Sequence, residues 1–335
     1  MFLFFGMELD VKDKKILQEL DSNPKIPLSR LAKRVRLSQQ VVDYRIKRLQ
    51  EKGIIQHFGT IFNLSKIGYE QYRVFFQVGN VDDNEKRRVI EYLKKHENLY
   101  WAALVGGKWD LLVVVFVKNY EEFESFLDEL FEKYQKILKD YEAFYVLYHE
   151  FYSHKFLGDI ASGKPLKINF ANAGAFVDLD TLDIKILDLI KMNCRAPSLD
   201  IGKKCKVSYK TIQNRIKVLD EKGLIAGYRL FLRSEQFFYK AYFLVVSFTS
   251  YGRKTQDDLL GYAQQHPLIT QTLKLFGRWS LMFHLRLRDE RELQGVIIEM
   301  RNKFPLIGDY GVIPVFEDIA IAHFPMSKKL IAGSG

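Results

Sequence analysis

Residues 9–17 read Leu-Asp-Val-Lys-Asp-Lys-Lys-Ile-Leu, and residues 179–187 read Leu-Asp-Thr-Leu-Asp-Ile-Lys-Ile-Leu. The shared frame, Leu-Asp-x-x-Asp-x-Lys-Ile-Leu, is displaced by 170 positions, and the same displacement holds far beyond it. Arg45-Ile46-Lys47 recurs as Arg215-Ile216-Lys217, and Glu51-Lys52-Gly53-Ile54-Ile55 as Glu221-Lys222-Gly223-Leu224-Ile225. His96, Gly107 and Trp109 return as His266, Gly277 and Trp279. One offset without a gap over about a hundred residues marks a tandem repeat. The chain reads as two copies of one unit, 9–157 and 177–325. The stretch between them, rich in Gly, Ala and Asn, reads as a linker.

The repeat explains the charge. The chain has 335 residues, with Lys+Arg 51 against Asp+Glu 41. Residues 1–60 carry 12 basic and 7 acidic side chains, and 177–232 carry 11 and 7. Residues 61–176 carry 15 and 17, and 233–335 carry 13 and 10. Most of the excess therefore sits on two equivalent blocks of the repeat. Binding to phosphate depends on such local clustering.

Other bulk features exclude classes. Apolar residues at 47% and charged residues at 27% exclude a disordered or fibrous chain. Two cysteines, Cys194 and Cys205, exclude a disulfide scaffold and a four-cysteine zinc site, and suit a reducing, cytoplasmic setting. The opening Met-Phe-Leu-Phe-Phe run is too short for a signal core or a membrane span, and Met7 offers a second start. The closing Gly333-Ser334-Gly335 has the composition of an appended tail.

The first part of each copy predicts three short helices. Val11, Ile16, Leu17 and Leu20 fall near helical spacing, with Pro24 beyond them. Leu28, Leu31, Ala32 and Val35 give a second helix. Ser38 is a good N-cap for a third, whose Val42, Ile46 and Leu49 form an inward stripe closed by Gly53. Residues 54–62 then read as a small β-hairpin, a wing. Copy two repeats the logic with Pro197, Ser208, the stripe Ile212/Ile216/Leu219, and Gly223. This is a winged helix-turn-helix.

A third helix of this kind enters a major groove. Its outward residues are Gln39, Gln40, Asp43 and Tyr44 in copy one, and Tyr209, Lys210, Gln213 and Asn214 in copy two. The amides among them can bond an adenine edge in two places. Arg45, Lys47, Arg48, Arg215 and Lys217 are expected on phosphates.

The second part alternates strands and helices: strands over 72–78, 99–105, 111–117 and 144–151, with helices over 84–96 and from Phe123 to Tyr134. Copy two repeats this at 241–248, 253–265, 268–276, 281–287, 289–304 and 312–323. The order βαββαβ predicts a ferredoxin-like fold whose exposed edges suit self-association. The expected class is α+β. Its parts are winged helices at 1–64 and 177–234, ferredoxin-like domains at 65–157 and 235–325, a linker at 158–176 and a tail at 326–335.

These features resemble the leucine-responsive/asparagine-responsive (Lrp/AsnC) family. The resemblance rests on the Leu-Asp-x-x-Asp-x-x-Ile-Leu frame, the Ser-capped helix ending Arg45-Ile46-Lys47-Arg48-Leu49, and the Gly-containing turn before Trp109-Asp110-Leu111-Leu112. It implies a transcription regulator with an N-terminal winged helix and a C-terminal effector and oligomerisation domain. Two fused units imply a pseudo-dimer within one chain. The resemblance also places an amino-acid effector at the β-turn, on Gly106, Gly107, Asp110 and Gly277, although copy two has Phe276 and Ser280 where copy one has Gly106 and Asp110.

Other chemistry has little support in the sequence. His57, His96, His149, His154, His266, His284 and His323 are scattered, and His149 and His154 are expected on opposite faces of one strand. No metal, cofactor or catalytic residue is expected. Some relatives of this two-domain layout are haem-pathway decarboxylases, which makes an enzyme the first alternative. Against it, no convergent His/Arg/Tyr cluster is expected in the ferredoxin-like halves. The second alternative is a DNA-architectural protein with little sequence preference.

Overall fold

The computed structural model describes residues 9–158, 164–171, 174–250 and 252–322. The opening run, His323 and the tail lie outside the described residues. Copy one runs α1 (Val11–Ser22), α2 (Leu28–Val35), α3 (Gln39–Glu51), β1 (Ile55–Phe62), β2 (Glu70–Val78), α4 (Asp83–Lys95), β3 (Leu99–Val105), β4 (Leu111–Val117), α5 (Tyr120–Tyr134) and β5 (Leu138–Phe151). Within the expected linker lies a short strand, β6 (Leu166–Asn169). Copy two runs α6 (Thr181–Ile190), α7 (Ser198–Cys205), α8 (Tyr209–Glu221), β7 (Ile225–Leu232), β8 (Lys240–Phe248), α9 (Arg253–Gln265), β9 (Ile269–Phe276), β10 (Leu281–Leu287), α10 (Glu290–Lys303) and β11 (Ile307–Ile321).

Local chemistry sets the helices. Ser38 and Ser208 cap α3 and α8, each accepting from the amide three residues on. Gly53 and Gly223 follow these helices at positive φ, 69° and 74°, a conformation that favours a residue without a Cβ. The tight turns before α3 and α8 place Arg36 and Lys206 at positive φ, 55° and 58°.

The repeated Leu-Asp-x-x-Asp frame now has a physical meaning. Asp10 and Asp180 cap α1 and α6. Asp13 is buried between two arginines of α3, Arg45 at 2.8 Å and Arg48. Asp183 meets Arg215 of α8 at 3.2 Å. In both copies the motif ties the first helix to the third.

The wing differs from the expected hairpin. Each copy supplies one strand, and β1 pairs antiparallel with β7 of the other copy. Fusion places both partner strands in one chain. The junction is stitched symmetrically, by Asn63 N–H to Leu224 O at 2.8 Å and Arg233 N–H to Ile54 O at 3.1 Å.

The ferredoxin-like sheets also join. Copy one has the order β5-β2-β4-β3 and copy two β11-β8-β10-β9. Edge β3 pairs with β11, and edge β9 with β5, so eight strands close on themselves. Both exposed edges expected from the sequence are thus used inside the chain, which forms the pseudo-dimer. β5 and β11 are longer than predicted because each spans both sheets. Strand β6 continues past β5, which accounts for part of the expected linker.

Side-chain alternation places the cores. Val74, Phe76, Val113 and Val115 face α4 and α5 on the outside. Leu244, Val246, Leu281 and Phe283 face α9 and α10. The other faces, including Phe75, Val114, Phe144, Val245 and Leu273, meet in the barrel interior.

Candidate nucleic-acid helices and a polar cavity

The first candidate site is the pair α3 and α8. Ser38, Gln39, Gln40, Tyr44 and Lys47 are exposed, as are Ser208, Tyr209, Lys210, Gln213, Asn214 and Lys217. Asp43 is half-buried and bridges to Lys47 at 2.7 Å, one turn on. Lys217 lies 3.7 Å from Glu221. Both faces are thus polar and open, as groove reading requires.

Three expected phosphate contacts are differently placed. Arg45 bonds Asp10 and Asp13, Arg48 bonds Asp13, and Arg215 bonds Asp180 and Asp183. Asp13 and Asp183 are buried, so these guanidiniums neutralise charges that could not stand alone in the core. The arginines are helix–helix clamps, and the remaining basic candidates on these faces are Lys47, Lys210 and Lys217.

Of the four turn positions, Gly106, Gly107 and Asp110 share the β3–β4 turn, and Gly277 stands in the equivalent turn of copy two. Gly106 donates its N–H to Pro314 O at 2.9 Å, and a Cβ there would meet the Phe316 ring at 2.5 Å. Gly107 is a turn residue at φ +85° beside Val312. Asp110 accepts the Val78 N–H at 2.8 Å. Gly277 packs against Phe144, on the other copy's side of the sheet pairing.

The second candidate site was not expected. Inside the barrel a cleft of about 1020 Å³, counted with the solvent at its mouth, is lined by residues of both copies. Arg73 comes from β2, Tyr100 and Trp101 from β3, His149 and Phe151 from β5, Phe243 from β8, Gln271 from β9, and His284 and Arg286 from β10. Gln56, Arg229, Phe231 and Leu232 reach it from the wing strands β1 and β7. Glu235, Glu317 and Asp318 also line it.

Its polar groups converge. Arg73 Nη1 lies 3.1 Å from His284 Nε2, and its guanidinium 5.7 Å from the Trp101 ring. The His149 and His284 rings are 6.3 Å apart. His149 Nε2 meets Gln271 Oε1 at 2.9 Å. Arg229 donates to Tyr152 O at 2.9 Å and lies 5.4 Å from the Phe151 ring. Burial, then the nearby Arg73, holds both imidazoles well below the usual histidine range. Both are therefore neutral at neutral pH. Since arginine only donates, His284 Nε2 accepts, which places its proton on Nδ1. Burial lowers Arg73 to about 9 and Arg229 to about 10, so both remain cations.

The expectation of no convergent His/Arg/Tyr cluster is thus overturned. His154 also lies elsewhere than expected: β5 ends at Phe151, and His154 Nδ1 meets Asp21 of α1 at 2.6 Å. The signal that reveals the cluster is the repeat itself. At the offset of 170, His284 replaces Val114 and Arg286 replaces Phe116; Arg73 stands where copy two has Phe243. Arg229 stands where copy one has Gly59; in the last strand the offset becomes 169, and His149 stands where copy two has Asp318. Cys205 shows a smaller departure, being half-buried beside the core where Val35 of copy one is fully buried.

The fold and helices define a tandem winged helix-turn-helix protein built around a closed ferredoxin-like pair. A family model described as "Winged helix-turn-helix DNA-binding" matches residues 9–56 and 179–226. The HTH-type transcriptional regulator FL11 of Pyrococcus abyssi is 32% identical over 122 residues, 36% of this chain and 80% of that protein. FL11 of Pyrococcus furiosus is 32% identical over 120 residues, 36% of this chain and 78% of that protein. The chain belongs to the Lrp/AsnC family of winged helix-turn-helix regulators. Over its whole length it also shares the fold of the siroheme decarboxylase NirDL, with a TM-score of 0.63, 14% identity, and coverage of 96% of this chain and 99% of that one. Among the described residues no helix is long and apolar enough to cross a membrane.

Proposed function

We propose that this chain is a sequence-specific, double-stranded DNA-binding transcription regulator, acting in the cytoplasm as an intrachain pseudo-dimer under small-molecule control. The observation that carries the reading is the pair α3 and α8, each Ser-capped and each presenting an exposed polar face. The regulators that match the chain support it. The two faces differ, Gln39/Gln40/Asp43 against Tyr209/Lys210/Gln213, with the amides Gln39, Gln40 and Gln213 as base readers at non-equivalent positions, so the two heads read different half-sites. Identical helices in a homodimer favour a palindrome, and a diverged pair lifts that constraint. Selection of bound duplexes from a random pool, with and without an amino-acid mixture, tests this. Enrichment of an asymmetric site supports it. Enrichment of perfect palindromes of one short half-site removes the asymmetry, and no enrichment at all removes sequence-specific reading.

A second reading is favoured by one observation, the His149/His284/Arg73 cavity. Convergent neutral imidazoles and cations are what an enzyme acting on an anionic substrate would need. NirDL, named a siroheme decarboxylase, shares the two-domain layout. In this reading the chain is a haem-pathway decarboxylase. Its test is colour: purified protein mixed with an iron tetrapyrrole should show a saturable shift of the pigment's absorption and release carbon dioxide. A colourless protein that turns over nothing returns the cavity to a non-enzymatic role.

A further inference from the structure

Of the charged groups in the barrel interior, Arg73 is the most exceptional. It is only 2% exposed, its Nε has no hydrogen-bond partner, and its Nη1 meets a neutral imidazole and Met282 Sδ. No carboxylate lies within ion-pair distance of it among the described residues. Arg229 is buried as well, at 7% exposed, and donates to a backbone carbonyl. The carboxylate whose charge it feels, Asp21, is itself hydrogen-bonded to His154. A buried guanidinium without a counter-ion is unfavourable, because burial removes water and nothing replaces it. A fold that keeps Arg73 in this state, with Arg229 facing the same cavity, is arranged for an anion from outside.

The cavity also specifies the body of that anion. Arg73 lies near the Trp101 face, and the Phe243 ring is 6.0 Å from Trp101. The acidic side chains of the lining, Glu235, Glu317 and Asp318, are those whose charge reaches Arg286 or which sit on β11. Trp101 Nε1 donates to Asp318 at 2.9 Å, so Asp318 is already engaged. An aromatic wall of Trp101 and Phe243 beside the Arg73 guanidinium suits a flat unsaturated body carrying carboxylates, each able to bond a guanidinium in two places.

The wing sheet closes the cavity. Gln56 of β1 and Arg229, Phe231 and Leu232 of β7 line it, and these are the strands that join the two helix-turn-helix units. A ligand touching Arg229 therefore touches the element that sets the relation of α3 to α8. We propose that this cavity is the effector site of the chain: it binds a flat organic anion with two or more carboxylates, held by Arg73 and Arg229, and its occupancy is read at the β1–β7 sheet. Only the second half of the proposal rests on the DNA-binding reading; ligand binding stands without it.

The test uses the full chain with two fluorescent probes, naphthalene dicarboxylate and pyrene tetracarboxylate, each beside its methyl ester. At least one acid should bind saturably and its ester should not. Arg73→Met and Arg229→Met should each weaken the acid at least tenfold, while thermal melting shows both variants folded. Should either variant fail to fold, Trp101→Leu takes its place and should weaken the pyrene probe more than the naphthalene probe. Equal binding of acid and ester, or unchanged binding in the folded variants, overturns the site. Occupancy should then change affinity for the selected duplex, and the duplex should change affinity for the probe by the same factor. Probe binding without that change overturns the readout at the wing sheet. A chain that binds the probe but selects no duplex keeps the site and loses the regulator.

Discussion

Strands β4 and β10 occupy equivalent places in one barrel, yet they fill it differently. β4 turns Leu112, Val114 and Phe116 inward, and Phe116 packs against Tyr100 at 5.1 Å and Phe170 at 5.9 Å. β10 turns Met282, His284 and Arg286 inward, beside Arg73 and an open cleft. The outer faces of both strands are apolar and helix-covered. The fold therefore tolerates either filling so long as the outer layers hold. One end of the barrel contributes core and the other has given up core packing for polar groups. The two copies have diverged so that a polar cavity stands on a scaffold whose other half is packed core.

The sharpest way to break this comparison is to exchange fillings. Phe116→Arg places a charge in the packed end, against Tyr100 and Phe170. Losing the aromatic packing and burying the cation should cost about 3–5 kcal/mol. Arg286→Phe, in the open end, should change stability by about 1 kcal/mol or less. Denaturant titration of both variants gives the numbers. Similar losses would mean that the two ends are equally packed.

Acid sharpens the same difference. His149 and His284 are held below the ordinary histidine range by burial and then by Arg73, with Arg229 also acting on both and Arg286 on His284. The unfolded chain takes up protons on these histidines as pH falls below about 6.5, and the folded chain does not. Their contribution is thus fully present above that pH and is lost as pH falls toward the folded values. His57, brought by burial to about 4, acts in the same direction. Replacing His284 by Gln keeps an acceptor for Arg73 and removes one titration. It should flatten the loss of stability below pH 6.5 by about 1.4 kcal/mol per pH unit. Val114→Gln, at the equivalent place in the packed end, should leave the slope of the parent. An unaltered slope in His284→Gln would mean that this imidazole is protonated in the folded state.

Much of the scaffold was legible because it is periodic and repeated. The inward stripe of α3, its serine cap and the closing glycine are local signals, and local physics decides them. The strands of both ferredoxin-like halves were legible from alternation. What was not legible was pairing. Residues 54–62 have the composition of a hairpin, and nothing in them says that the partner strand lies 170 residues away. The cavity was hidden for the same reason. Arg73, His149, Arg229 and His284 are far apart in sequence and meet only because β3–β11 and β5–β9 close the barrel. The arginines of α3 were expected on phosphates, and Arg45 and Arg48 bond the aspartate of the motif that identified the repeat, a partner that their place on the helix does not announce.

The helix clamps offer a smaller contrast. Asp13 has two arginines, Arg45 and Arg48, whereas position 218, the counterpart of Arg48, is Val218, so Asp183 has Arg215 alone. Arg215→Met should therefore destabilise by about 1–2 kcal/mol and Arg45→Met by about half as much, both discounted for partial exposure. Thermal melting of the two variants checks the order. The reverse order would show that Arg48 does not stand in for Arg45.

The smallest effect concerns DNA. Lys210 is exposed on α8, and its counterpart on α3 is the uncharged Gln40. A lysine that neutralises one phosphate contributes about 0.9 to the slope of log affinity against log salt. Lys210→Ala should lower that slope by about this amount, weaken all duplexes alike and leave the selected sequence unchanged. Gln40→Ala should leave the slope alone and relax preference in one half-site only, because an amide reads a base edge without releasing a counter-ion. A change of slope in Gln40→Ala, or relaxed preference in Lys210→Ala, would exchange the two roles and with them the assignment of copy one to reading and copy two to holding at this position.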